Sequence, residues 1–236
     1  MRNFARSWIQ ASISTVNLGP QAPVNFFKYE EPTGISTHSR HEPEIVRLIA
    51  NNPAFLNTFT TAAGLNPYSA YRVGVHTSLV KGSGTGDFDL ILYGPTYPYD
   101  ITCCEFKVIK IIAGEDGRDQ RNKLEGIEDL YKQAKDRLKI GFHRTVAAII
   151  LHGDLQQRKT PNIVVKDYAL ETYEVLAHYV YNRFSAPEGC GLVLTRFDQP
   201  SGNLDSINFA ACLLNSATPM EQKPLVTDRF TDLRNS

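Results

Sequence analysis

The chain predicts an α/β fold: a helix, a three-stranded meander, a second helix and a further strand, building a mixed sheet with helices on its faces. Three observations carry this. The stretch from 71 to 110 is β-rich and broken only by short Gly- and Pro-containing turns, the mark of an antiparallel meander. The period then changes, with Leu124, Ile127, Leu130, Tyr131, Ala134 and Leu138 recurring at helical spacing. Directly after it, TVAAIIL at 145–151 is almost wholly apolar, as expected for a strand covered on both sides.

Taken in order, residues 1–38 read as an irregular N-terminal arm, with turn formers at Gly19-Pro20, Pro23, Pro32 and Gly34. A helix begins near Glu42, with Pro43 suited to its first position and Ile45, Leu48 and Ile49 as the buried stripe. Asn52-Pro53 restarts a helical stretch that Gly64 through Pro67 ends. Strands are expected at 71–80, 87–93 (DFDLILY) and 101–110 (ITCCEFKVIK), with KGSGTG at 81–86 as turn material. The amphipathic helix covers 119–139 and Gly141 closes it. Another helix starts at Asp167, with Leu170, Tyr173, Ala177, Val180, Tyr181 and Phe184 on one face, followed by a strand at 189–196. Residues 39–200 form the core in this reading, and 201–236 an extension of the same domain with one apolar run at 207–214 and a polar tail.

Bulk properties set further bounds. The 236 residues, 42% hydrophobic and 21% charged, suit one soluble globular domain with elaborations. No apolar run is long enough to span a bilayer, so no membrane partner is expected. The start, MRNFARSWIQASISTV, has no continuous apolar core, so a secretory signal is not expected; Arg2 and Arg6 before the first acid, Glu30, leave a transit peptide as the alternative to a flexible arm. Cys103, Cys104, Cys190 and Cys212 form no CxxC pair, which argues for buried free thiols in a reducing, cytoplasmic setting. Zero net charge weighs against a strong nucleic-acid surface, although residues 107–144 carry ten Lys/Arg against seven Asp/Glu.

The residues that stand out chemically are Asp89 in the second strand and Glu105 and Lys107 in the third. Alternation puts Glu105 and Lys107 on one face, and adjacent antiparallel strands can bring Asp89 beside them. Two carboxylates at one point repel unless a cation neutralises them, and hard oxygen ligands suit Mg²⁺ or Mn²⁺. A lysine beside such an ion can orient water while the metal polarises a phosphate. Glu-x-Lys alone is common; a second copy, Glu221-Gln222-Lys223, stands in the polar tail. The first copy differs because charges interrupt an apolar strand, where they need solvent or a partner. The structural alternative is a half-exposed sheet face carrying cross-strand ion pairs.

The segment Gly86-Asp87-Phe88-Asp89-Leu90-Ile91-Leu92, followed by Glu105-Phe106-Lys107, resembles the PD-(D/E)XK nuclease superfamily, whose restriction-endonuclease-like core has the element order described above. The resemblance covers roughly 41–196, with Phe88 standing where many members have proline. It implies that Asp89 and Glu105 hold Mg²⁺ or Mn²⁺, that the Phe106 main-chain carbonyl is a further ligand, and that Lys107 positions the attacking water. It also implies auxiliary roles for Glu44, as a helix acid near the metal, and Gln133, as a polar helix residue near the site. The residues themselves allow plainer readings. An acid such as Glu44 is favoured in a first helical turn, and Gln133, in line with Lys123, Leu130 and Arg137, also fits a solvated helix flank. The implied activity is hydrolysis of phosphodiester bonds, in DNA rather than RNA, leaving 5′-phosphate ends, by a homodimer or a larger complex. Whether the enzyme is an endonuclease or an exonuclease is not written in these motifs.

Rival signals are weaker. The glycines at 82, 84 and 86 precede a strand, not the helix a phosphate loop needs. His143 and His152 flank the apolar strand as strand-end residues, and Asp87 reads equally as a strand-start acid. Two other function classes stay open: a nuclease-like fold that binds nucleic acid or a protein without cutting, and an unrelated α/β domain whose strand charges are structural.

Overall fold

The computed structural model describes residues 9–14, 42–80, 86–113, 119–122, 126–154, 186–198 and 206–236. In chain order these form β1 (Ile9–Ser14), α1 (Glu42–Asn51), α2 (Pro53–Ala62), β2 (Ala70–Val75), β3 (Phe88–Tyr93), β4 (Ile101–Ala113) and β5 (Asp119–Asn122). After them come α3 (Gly126–Ile140), β6 (Arg144–Asp154), β7 (Cys190–Asp198), β8 (Ser206–Asn215) and α4 (Pro224–Asn235). The strands make one eight-stranded mixed sheet in the order β1-β8-β7-β6-β4-β3-β2, with β5 added on β4. The α/β class expected from the sequence is therefore present.

The apolar run at 145–151 lies mid-sheet, inside β6, which is parallel to β4 on one side and to β7 on the other. Its side chains alternate between two cores, as the period of a strand requires. Val146, Ala148 and Ile150 face α1 and α2, while Ala147, Ile149 and Leu151 face Ile127, Leu130 and Ala134 of α3. A third core gathers Phe88, Ile91, Tyr93, Ile101 and Cys103 with Phe142 and with Val226 and Phe230 of α4. The α1 stripe of Ile45, Leu48 and Ile49 is buried as expected. Asn52 caps α2 by accepting hydrogen bonds from Ala54 N and Phe55 N, with Pro53 at the first helical position.

Several boundaries differ from the sequence expectation. Ile9–Ser14, placed in the irregular arm, pairs with β8 as the edge strand β1. The strand expected over 71–80 ends at Val75, where a short 3₁₀ turn, Thr77–Leu79, takes over with His76 as its cap. The helix expected from 119 begins at Gly126, and Asp119–Asn122 instead pairs with β4. The reason is in the pattern: the apolar stripe starts only at Leu124, so the preceding residues gain nothing from helix and complete an open strand edge. The polar tail contains α4, which closes the third core through Val226 and Phe230. The helix expected from Asp167 and the turn residues 81–85 lie outside the described residues.

Candidate active site

The site begins with a gap in the sheet. β4 pairs with β6 from Thr102 to Ile112 along one edge. The other edge has two short partners: β3 covers 101–104 and β5 covers 110–113. Among the described residues, no strand pairs with 105–109 on that edge. A strand residue directs its N–H and C=O to the same side, and here Phe106 and Val108 direct theirs into the gap. Two carboxylates take the place of the missing strand. Asp89 Oδ2 accepts the Phe106 N–H at 2.7 Å, and Glu42 Oε2 accepts the Val108 N–H at 2.8 Å. The Phe106 carbonyl leaves β4 on this same side.

Why Asp89 stands here follows from register. β3 and β4 pair up to Leu90 and Cys104, and one further step sets Asp89 against Glu105. The ladder opens at that step. Glu105 then projects to the α3 side, where it is 1% exposed and pairs with the Arg137 Nε at 2.9 Å, itself 1% exposed. The Cys103 thiol lies 3.5 Å from the same oxygen, Oε1. Arg137 also packs its guanidinium over the Phe88 ring, 4.6 Å from the centroid. Two residues on, Lys107 shares the Glu105 face, and its Nζ lies 3.8 Å from Glu42 Oε2. That is an ion pair beyond hydrogen-bond length, between side chains 22% and 27% exposed.

The electrostatics are those of crowded acids. Burial first, and the Glu105 charge second, push the Asp89 carboxyl up to about 8, against the lowering effect of the Phe106 N–H. Burial also raises Glu105, opposed by the Arg137 guanidinium. The Cys103 and Cys104 thiols are driven up by burial and then by Glu105; with Cys190 and Cys212 they are buried thiols outside any disulfide, as expected.

The structure thus sets Asp89 on the Phe106 N–H and within electrostatic reach of Glu105, while Glu42 joins the Val108 N–H to Lys107. Glu44 is placed differently: it lies two residues beyond Glu42, roughly 200° around the helix, so the two acids cannot share a face. The α1 acid bonded to β4 is Glu42. Gln133 is half-buried on the α3 stripe that runs from Gly126 through Leu130 to Arg137, and it forms no hydrogen bond among the described residues. The α3 side chain bonded to the acids is Arg137, one turn further on. Both newly found residues left a trace in the sequence. Glu42 opens the first helical turn, and Arg137 falls at helical spacing from the apolar Ile127, Leu130 and Ala134. The half-exposed cross-strand alternative does not describe Glu105, which is buried and paired to a helix. His143 bonds the Met220 carbonyl and lies near Asp100, away from the gap. Asp87 is exposed, and the His152 side chain is outside the described residues.

Whether a divalent cation suits this place can be asked of the oxygens. Each acid spends one oxygen on the scaffold, and among the described residues Asp89 Oδ1, Glu105 Oε2 and Glu42 Oε1 accept no hydrogen bond. Hard, uncommitted carboxylate oxygens beside an outward-facing carbonyl are a donor set that fits Mg²⁺ or Mn²⁺. No group of three or more His, Cys, Asp or Glu side chains able to hold a metal together occurs among the described residues. The fit therefore rests on Asp89, Glu105 and the Phe106 carbonyl, with Glu42 beside them. No helix among the described residues is long and apolar enough to cross a membrane. Searched against protein-family models and curated proteins, the chain matches none.

Proposed function

We propose that the protein is a metal-dependent nuclease of the PD-(D/E)XK type that hydrolyses phosphodiester bonds in DNA. The observation that carries this reading is the gap itself: an interrupted sheet edge where Asp89 and Glu42 cap β4 while Glu105 and Lys107 project from it. A gap lined this way costs stability, since buried acids are held against their own charge, and such costs concentrate at working sites. Asp89, Glu105 and the Phe106 carbonyl hold Mg²⁺ or Mn²⁺ in this reading, and the cation supplies charge for the scissile phosphate when bound. Lys107, partly exposed and only loosely paired, is the group that donates hydrogen bonds to the attacking water or to a phosphate oxygen. Glu42 holds that ammonium toward the gap. Arg137 fixes Glu105 through one oxygen and leaves the other for the metal.

The test is cleavage of supercoiled and linear DNA with Mg²⁺ or Mn²⁺ and with chelator. Wild type is expected to cut only with metal, and Asp89→Ala and Lys107→Ala are expected not to. Equal cutting by the variants removes the site assignment. A second reading, a nuclease-like fold that binds nucleic acid without cutting, is favoured by the zero net charge and by the Arg137 guanidinium already paired with Glu105. DNA binding that persists in chelator, with no cleavage under either metal, selects it.

A further inference from the structure

We infer that Gly126 is a positioning residue for Lys107: its missing side chain opens the path by which the lysine reaches the gap. This rests on the nuclease reading for its consequence, though not for its geometry. A Cβ at Gly126 would lie 2.4 Å from Lys107 Cε and 3.3 Å from its Cδ. The lysine stem therefore runs directly across the first residue of α3 before its Nζ comes to Glu42. No residue other than glycine leaves that space.

The other end of the same helix shows what an ordinary glycine looks like. Gly141 follows α3 with φ of 94°, a left-handed conformation that favours glycine at a helix end. A lysine crosses it too: Lys223 lies against it and donates to the Lys139 carbonyl at 2.6 Å. Gly141 is thus accounted for by its backbone. Gly126 opens α3 and has no positive φ, so no left-handed backbone asks for glycine there. What remains to explain a glycine at 126 is the space that Lys107 occupies.

The consequence is unusually separable. The atoms that a Cβ at 126 meets belong to the far end of a flexible side chain, so the lysine moves and the backbone stays. Gly126→Ala should keep the thermal midpoint and the stabilisation by Mn²⁺, yet displace the ammonium. A misplacement of about an ångström costs about 100-fold in rate. The experiment measures single-turnover cleavage by wild type, Gly126→Ala, Lys107→Ala and the double variant, with Gly126→Ser as a second carrier of the same Cβ. The Cε–Hε resonance of Lys107, assigned by its loss in Lys107→Arg, is recorded in each folded protein. The expected result is a fall of about 100-fold in the single-turnover rate constant with the half-saturating concentration unchanged, a double variant no slower than Lys107→Ala, and a shifted Lys107 resonance. Wild-type cleavage by Gly126→Ala while Lys107→Ala is inactive overturns the inference, as do losses that multiply in the double variant. If wild type itself cuts nothing, the nuclease reading is what fails. The resonance then decides alone: moved, it upholds the positioning of Lys107 by Gly126; unmoved, it ends it.

Discussion

Two ion pairs leave β4 two residues apart on the same face, and they are built differently. Glu105 and Arg137 meet at 2.9 Å with both side chains 1% exposed, whereas Lys107 and Glu42 stand 3.8 Å apart at 22% and 27% exposure. The first pair is held by its neighbours: Cys103 shares the Glu105 oxygen and Phe88 lies under the guanidinium. The second sits at the rim of the gap, and its acid is shared with the Val108 N–H. The difference teaches where fixity is needed. In the proposed nuclease reading, a ligand carboxylate must be held in place before metal arrives, and an ammonium that serves water or phosphate must stay within reach of both.

The largest effect should come from cutting the locked pair. Arg137→Ala strands a buried carboxylate and should cost about 3–5 kcal/mol in urea unfolding, most of it recovered when Glu105→Leu is added. A loss below about 1 kcal/mol would mean that the pair is not sealed from water. Lys107→Ala should do the opposite, changing stability by less than about 1 kcal/mol while slowing cleavage by about 100-fold or more.

A smaller effect concerns the acid between them. Asp89 keeps its proton up to about pH 8 in the folded chain, while an unfolded aspartate loses it near 3.8. Unfolding in that window releases a proton, so stability falls as pH rises between the two values. Asp89→Asn, which keeps an acceptor for the Phe106 N–H, should flatten this fall in unfolding midpoints measured across the window. If Asp89 holds metal as proposed, the metal must displace the same proton, and stabilisation of wild type by Mn²⁺ should grow as pH rises. The smallest contrast is between neighbours on α1. Glu42→Gln should slow cleavage, and Glu44→Gln should leave it unchanged.

How much of this was legible beforehand depends on whether a residue's role is local. The strands at 88–93 and 101–110, with Asp89, Glu105 and Lys107 in them, are readable because charges interrupting an apolar run with a period of two mark themselves. Glu42 was not separable from Glu44, because choosing between them needs the rotation of α1 relative to β4. Arg137 looked like one more cation on a charged helix; only the packing of α3 on the sheet reveals that it is sealed beside Glu105. β5 was hidden by its polar sequence, since Asp119–Asn122 joins the sheet through backbone bonds to β4. Gly126 is not distinctive in the sequence, because the space it leaves for Lys107 exists only once α3 is set beside β4.

The most direct measurement is Mn²⁺ binding followed by electron paramagnetic resonance in wild type and Asp89→Asn. Saturable uptake by the wild-type protein, weakened by about tenfold or more in the variant, is what a cation shared by strands β3 and β4 requires. Identical uptake by both proteins, or none by either, would mean that the interrupted edge of β4 serves another purpose.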